Sequence, residues 1–324
     1  MIIDQKLLES IDFIIEQTID GSPIGHDELN NYLGFIDIKE IDKLIQYLEI
    51  PLLRAGSGYR FDGGVGQPLN TADIKSHLVS TSSVDIAVKR LVTSTNELLL
   101  AQVENSIEDY SIVVAESQAY GRGRQQKQWF SPYGGNVYFS LGFKTERVDH
   151  VYLLPLLVAV TLRDILVRHG VDGLQLKWPN DVLINGKKLA GILVESKVCG
   201  ENQFVVIGIG INIVRSKQIL ASVDQPVAFL DDFQATKMID RNLLVAMLIE
   251  NLIKVLENPV DDMSLISAWS EADAFKGRSV EVMLSGQWKQ GLAVGVADKG
   301  QYVIEMETGK VEINSSYVSL RLAE

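Results

Sequence analysis

The chain has 324 residues, of which 46% are apolar and 22% charged, and it carries a formal net charge of −12. That length exceeds what one hydrophobic core serves comfortably, so two or three domains are expected, and the composition is that of a folded globular protein rather than a disordered one. The acidic balance opposes broad non-specific affinity for nucleic acid or anionic membrane, while leaving room for one small basic surface. A single cysteine, Cys199, excludes an internal disulfide and a multi-cysteine metal site, and the four histidines form no HExxH-like pair. The longest apolar run, residues 151–160, is too short for a membrane span and contains a proline. The N-terminus lacks the pattern of a signal peptide, so a cytoplasmic protein with no membrane partner is expected.

Residues 1–50 read as three helices. In KLLESIDFII the residues Leu7, Leu8, Ile11, Ile14 and Ile15 fall on one stripe. HDELNNYL is short and closed by Gly34, and IKEIDKLIQYL repeats the stripe at Ile38, Ile41, Leu44, Ile45 and Leu48. A short helix, a glycine turn and a second helix outline a helix-turn-helix, and LLRAGSGYRF reads as a hairpin that would serve as its wing. Residues 1–66 are therefore expected to form a winged helix-turn-helix domain. The Gly-, Pro- and polar-rich run that follows predicts a linker over 67–82. From 83 to 272, strands such as SIVVAES, NVYFSLGF, LQLKWP and FVVIGIGINI alternate with helical patterns at 151–169, 240–257 and 263–271. This predicts a domain of the α+β or α/β class with a mixed sheet. Beyond Gly277, short alternating runs between turns predict a small β-barrel, the core of a last domain over 273–324.

Three stretches could carry chemistry. QAYGRGRQQKQW, residues 118–129, nearly spells a dinucleotide fingerprint, but Gln126 stands where the third glycine belongs. Gly208-x-Gly210 fails likewise and reads as a strand with close backbone packing. There is no GxxxxGK[ST] loop. A nucleotide would have to be held by other means, and Arg122 and Arg124 offer bidentate donors to phosphate or carboxylate, with Trp129 a flat face for a base. The plainer reading is a solvated loop ending in a core tryptophan. The second stretch is KWPNDVLINGKKLAGILVES, where Asn185-Gly186 signals a two-residue hairpin. The expected register sets Ile184 opposite Lys187, Leu183 opposite Lys188 and Asp181 opposite Ala190. Asp181, Leu183, Lys188 and Ala190 then share one face, with the Lys188 ammonium in reach of the Asp181 carboxylate and Lys177 and Asn180 just upstream. Lys187 falls on the other face, and the plainer reading here is a surface ion pair. In the third stretch, STNELLL, Ser94 and Glu97 form a capping box at a helix start whose free amides also suit a polar ligand head.

Taken together, STN at 94–96, Gln118, GRGR at 121–124, WFSP at 129–132, KWPND at 177–181, KLAGILVE at 188–195 and GIGIN at 208–212 resemble the biotin protein ligases. The resemblance is to the long three-domain bacterial form that doubles as biotin-operon repressor. It covers nearly the whole chain. It implies an α+β protein with a winged helix-turn-helix, a central class II synthetase-like ligase domain and an SH3-like barrel. It also implies a two-step reaction, in which the biotin carboxylate attacks the α-phosphate of ATP with Mg²⁺ present. A lysine of a biotin carboxyl carrier protein, that of acetyl-CoA carboxylase, then displaces AMP. By the family pattern Ser94, Thr95, Asn96, Gln118, Arg122, Gly123, Arg124 and Lys188 hold biotin. Trp129, Lys177, Asn180, Asp181, Asn212 and Arg321 hold ATP or the adenylate. Lys188, Arg122, Arg124 and Lys177 are the expected catalytic cations, Asp181 the expected Mg²⁺ or Lys188 partner, and the cationic loop closes over the adenylate. Further implied partners are the biotin operator DNA and a second copy of the chain when biotinyl-AMP is bound.

Two departures from the family pattern stand out. The family loop usually runs GRGR-x-G, so the backbone turn after Arg124 is expected to differ here. The helix beginning FIDIKEIDK carries Asp37, Glu40 and Asp42, and residues 1–70 hold 12 Asp and Glu against 5 Lys and Arg, a net of −7. Lys39, Lys43, Arg54 and Arg60 remain as candidate phosphate contacts for DNA. The rival readings are a lipoate-type ligase of the same fold, whose Gly-rich and His-Asp segments this chain lacks, and a biotin-sensing transcription regulator without ligase activity.

Overall fold

The computed structural model describes residues 3–33, 37–63, 66–79, 84–102, 109–145, 148–199, 202–233, 240–284, 286–314 and 320–323, so Gly34 lies outside the described residues. The three expected helices are α1 (Gln5–Thr18), α2 (His26–Leu33) and α3 (Ile38–Tyr47), followed by the hairpin β1 (Leu52–Ala55) and β2 (Gly58–Phe61). Asp4 caps α1 by accepting from the Leu7 amide at 2.8 Å, and Asp37 caps α3 by accepting from the Lys39 amide at 2.9 Å. The apolar stripes read from the sequence meet in one cluster: Leu8, Ile11, Ile14, Ile15, Ile41 and Leu44 with Tyr59 of the hairpin. Ala119 and Tyr133 join the same cluster from farther along the chain, and the Tyr133 amide donates to Leu48 O at 2.6 Å.

The stretch read as a linker contains a helix, α4 (Thr71–His77), capped by Asn70 and burying Ile74. The preceding residues are bolted down. Arg241 forms a buried ion pair with Glu116 at 2.7 Å and also donates to Gln67 O, while the Leu69 amide donates to Glu116 Oε1. Asn242 donates to Pro68 O and accepts from the Asn70 amide. A run of Gly, Pro and polar residues is here a strap rather than a tether, because its backbone groups find fixed partners.

A seven-stranded sheet follows, in the order β3-β4-β5-β9-β8-β7-β6. Its strands are β3 (Val84–Val92), β4 (Tyr110–Gln118), β5 (Val137–Thr145), β6 (Leu174–Lys177), β7 (Asp181–Ile184), β8 (Lys187–Cys199) and β9 (Asn202–Ile211). Only β3 and β4 run parallel, with α5 (Thr95–Gln102) between them; the rest pair antiparallel. The sheet is therefore mixed, as expected. Because side chains alternate along a strand, Val113, Phe204 and Val206 turn toward Leu99 of α5, while Ile112, Val114, Val205 and Ile207 turn to the other face. That face is covered by α6 (Leu154–Arg168), α8 (Arg241–Glu257) and α9 (Asp262–Ala272), with the short α7 (Lys217–Ser222) after β9.

The last strands form an antiparallel five-stranded sheet in the order β13-β12-β11-β10-β14. They are β10 (Ser279–Leu284), β11 (Gln287–Val296), β12 (Tyr302–Met306), β13 (Gly309–Ile313) and β14 (Leu320–Leu322). Val280, Val282, Ala293, Tyr302 and Ile304 belong to the same apolar cluster as α6 and α9, so the apolar face of this sheet is continuous with the central core. Among the described residues no helix is long and apolar enough to cross a membrane.

Candidate functional site

A cavity of ≈ 760 Å³ opens where the ends of β4, β7, β8 and β9 meet the loop after β4 and the last sheet. At one end its wall is polar and buried. Gln118 accepts from the Thr95 amide at 2.9 Å and donates to Ser131 Oγ at 2.9 Å. Ser140 donates to Thr95 Oγ1 at 2.7 Å or to Asn96 Oδ1 at 2.6 Å, and Asn96 donates to Glu195 Oε2 at 2.9 Å. The Thr95 amide at the start of α5 is thus held by Gln118, while Ser94 O receives the Leu98 amide. This lattice fixes the donors and acceptors before any ligand arrives.

The other end is cationic. Lys188 Nζ lies 2.7 Å from Asp181 Oδ1 and 5.3 Å from the centroid of the Trp129 ring. Arg124 donates to Asn180 Oδ1 at 3.3 Å, Asn180 donates to Ile192 O at 2.7 Å, and Arg122 pairs with Glu195 at 3.3 Å. Burial pushes the Arg124 guanidinium and the Lys177 ammonium below their usual ranges, and the Asp181 charge opposes the shift in both. An anion entering the cavity would relieve that penalty. Arg124 Nη2 and Trp129 Nε1 are buried and have no acceptor among the described residues, so both are donors a ligand could engage. From the last sheet, Arg321 stacks 4.1 Å above the Trp288 ring and pairs with Glu281 at 2.7 Å. Asn212 is buried on the wall, its amide donating to Leu189 O at 2.9 Å and its side chain to Lys188 O at 3.4 Å.

The glycines of β8 and β9 explain how the two halves fit. A Cβ on Gly210 would stand 2.4 Å from the Trp129 indole, and one on Gly208 2.3 Å from Asn96 Oδ1. The close backbone packing read from Gly208-x-Gly210 is therefore packing against two residues of the cavity wall. The loop itself is a small hairpin: the Gly123 amide donates to Lys127 O at 2.7 Å and the Trp129 amide to Gly121 O at 2.8 Å. Gln125 and Gln126 both occupy the left-handed region, at φ 55° and 57°. The turn after Arg124 thus takes a conformation that suits glycine even though Gln126 stands there, at a cost of about 1–2 kcal/mol per residue.

Residues 88–212 match the Biotin/lipoate A/B protein ligase family. The chain is 31% identical over 273 residues to the bifunctional ligase/repressor BirA of Escherichia coli, covering 83% of each chain. With the Salmonella typhimurium bifunctional ligase/repressor BirA it is 30% identical over 323 residues, covering 96% of this chain and 97% of that one. The chain belongs to the biotin/lipoate protein ligase family. Among solved structures it is similar to the biotin protein ligase from Aquifex aeolicus in complex with biotin and ATP, at 27% identity and a TM-score of 0.60, covering 74% of this chain and 99% of that one.

The structure lines one cavity with Ser94, Thr95, Asn96, Gln118, Arg122, Gly123, Arg124, Trp129, Lys177, Asn180, Asp181, Lys188, Asn212 and Arg321. One detail of the expected hairpin is corrected. Ile184 and Lys187, and Leu183 and Lys188, are opposite as predicted, but a bulge follows, so Ala190 faces Val182 and Asp181 faces Gly191. Leu189 is the extra residue. The bulge twists the strand locally, and the Lys188–Asp181 contact survives it. Lys187 is exposed. Sequence reasoning gave no role to Ser131, Ser140 or Glu195. Ser140 had a signal, a small hydroxyl set between Phe139 and Leu141 in β5; for Ser131 and Glu195 there was none beyond their place in the quoted motifs. The candidate DNA cations are mostly engaged: Lys43 pairs with Glu40 at 2.6 Å, Arg54 with Asp42, and Arg60 with Asp62 at 3.8 Å. Lys39 is exposed on α3.

Proposed function

We propose that this chain is an ATP-dependent biotin protein ligase that makes biotinyl-5′-AMP and passes the biotinyl group to a specific lysine of a biotin carboxyl carrier protein. The observation that carries this reading is one cavity joining a pre-bonded polar pocket to a set of cations, three of them half-buried, with two buried donors left over among the described residues. In the first step a carboxylate oxygen of biotin forms a bond to the α-phosphorus of ATP and pyrophosphate leaves. Two anions must approach, and Arg122, Arg124, Lys177 and Lys188 supply fixed positive charge where negative charge gathers. The Ser94–Asn96 segment with Gln118 receives the polar head of biotin, Lys188 its carboxylate, and Lys177 and Asn180 the phosphates. Trp129 covers the base, Asn212 bridges the ligand groups, and Arg321 reaches the nucleotide by leaving Glu281. In the second step the carrier lysine amine attacks the acyl carbon and AMP departs. The loop at 121–127 keeps water from the mixed anhydride meanwhile.

No group of three or more metal-ligating side chains occurs among the described residues. The Asp181 carboxylate is an oxygen donor of the kind Mg²⁺ takes when phosphate oxygens and water supply its other ligands. Bound there with ATP, the ion would neutralise phosphate charge.

The N-terminal helices and hairpin, read as a winged helix-turn-helix, make the chain in addition a biotin-responsive repressor, and the C-terminal strands are read as an SH3-like barrel. Two relatives whose names give them as bifunctional ligase/repressors are matched over 83% and 97% of their length, which supports this reading. Because Lys43, Arg54 and Arg60 are already paired with carboxylates, each DNA phosphate they take must displace an internal partner, and binding depends on two copies joining on a palindrome. The test is a single-turnover reaction with biotin and radiolabelled ATP, followed by carrier domain. Labelled biotinyl-AMP followed by AMP supports the ligase, and biotin binding without AMP formation would leave only a sensor.

A further inference from the structure

Lys177 ends β6, and its surroundings come from a part of the chain with no place among the ligand-binding motifs. Its Nζ lies 5.7 Å from the centroid of the Phe275 ring. Phe275 is nearly inaccessible to solvent and follows the last helix, α9. Its backbone is held in place twice over. The neighbouring Ala274 amide donates to Leu176 O at 2.8 Å, tying the segment alongside β6. The Phe275 amide donates to Asp273 Oδ1 at 2.9 Å, and the Lys276 amide to the same oxygen at 3.3 Å.

The Asp273 carboxylate is in turn fixed by the C-terminal sheet. Tyr302, fully buried at the start of β12, donates its hydroxyl to Asp273 Oδ2 at 2.9 Å. The Tyr302 ring also lies 5.6 Å from that of Trp178, the residue after Lys177, and Trp178 Nε1 donates to Gly300 O at 3.0 Å. The turn between β6 and β7, which carries Lys177, Asn180 and Asp181, therefore rests on β12 through the Trp178 ring and through the Asp273–Phe275 segment. Burial raises the Asp273 carboxyl above the usual carboxylate range, while its hydrogen bonds favour the ionised form. An isolated carboxyl in that place would be costly to keep, which makes its fixed partners the noteworthy feature.

We propose that Tyr302 and Asp273 are positioning residues for adenylate formation, acting through Phe275 to hold the Lys177 ammonium at the nucleotide phosphates. The last sheet then contributes to the first chemical step through a buried relay, separately from Arg321 at the cavity mouth. The inference rests on the assignment of Lys177 to the phosphates.

The experiment is a double-mutant cycle in the full-length protein, read as biotin-dependent pyrophosphate–ATP exchange, with biotin binding measured separately in the absence of ATP. Lys177→Ala is measured first; if it leaves the ATP dependence unchanged, the assignment of Lys177 fails before the relay is tested. With that assignment standing, Tyr302→Phe is expected to lower kcat/KM for ATP by up to about 10²-fold, the scale of a small misplacement at the reacting groups. Biotin affinity should stay the same, and in the Lys177→Ala background the added loss should vanish. Phe275→Leu keeps the apolar volume, removes the ring under the ammonium, and should behave in the same way, so the proposal remains testable if Tyr302→Phe folds poorly. An equal fold loss in both backgrounds, or weakening of biotin binding in parallel, would assign these residues to general stability and overturn the proposal.

Discussion

Replacing Lys188 by alanine, beside the same change at Lys187, asks whether the two faces of the Asn185-Gly186 hairpin differ in chemistry. Lys188 Nζ is 2.7 Å from Asp181 Oδ1, and the two side chains are only 16% and 12% exposed, whereas Lys187 is exposed at the end of the strand. Removing a single preorganised donor where charge develops costs about 2.7–4 kcal/mol, or about 10²–10³ in rate. Lys188→Ala should lose that much in adenylate formation. It also leaves Asp181 without its nearest counter-ion. Orphaning a fully buried charge costs about 3–5 kcal/mol. Here some solvent remains, and both Lys177 and Arg124 interact with the Asp181 charge, so a stability loss of about 1–3 kcal/mol is expected. Lys187→Ala should change stability by no more than about 0.5 kcal/mol and the rate by about twofold at most. Pyrophosphate–ATP exchange gives the rate, and urea unfolding of each variant separates the chemical loss from the structural one. Equal loss of exchange in the two variants would refute the assignment of opposite faces.

Gly210→Ala would place a methyl group 2.4 Å from the Trp129 indole. Such overpacking typically costs about 1–3 kcal/mol, and it should appear as weaker binding of ATP and of the adenylate in calorimetric titrations. Unchanged affinity would mean that Trp129 does not cover the nucleotide. Arg241→Ala leaves Glu116 buried and frees Gln67 O, so urea unfolding should show a loss of about 3–5 kcal/mol. A loss within experimental scatter would show that the strap at 67–70 holds without its ion pair. In gel shifts on the region upstream of a biotin biosynthetic operon, binding should require biotin with ATP and should fall steeply between two salt concentrations. A shift indifferent to biotin and ATP would contradict coupling between the ligand and DNA.

The site was more legible in the sequence than the scaffold that holds it. Asn185-Gly186 set the hairpin, and with it the choice of Lys188 over Lys187, because a two-residue turn fixes which residues face each other. The bulge at Leu189 was not legible, since one extra residue ahead of the run Ala190-Gly191-Ile192 leaves no local mark. The helix α4 did carry a signal, Asn70 as cap with Asp73 in the first turn. The Gly and Pro residues before it drew the whole stretch into a linker. That Gly208 and Gly210 make room for Asn96 and Trp129 needed the third dimension, as did the contact of Lys177 with Phe275, residues nearly a hundred positions apart. The acidic character of α3 was plain from composition. Its consequence, carboxylates already holding Lys43 and Arg54, follows only from where the side chains meet.

One cavity that both activates biotin with ATP and gives it away makes a direct demand on the order of products. Full-length protein incubated with biotin, Mg²⁺ and α-labelled ATP should form labelled biotinyl-AMP and hold it until a biotin carrier domain is added. Labelled AMP should then appear in step with biotinylated carrier, one for one. Biotin bound with no adenylate formed, or ATP consumed equally well without biotin, would contradict the account.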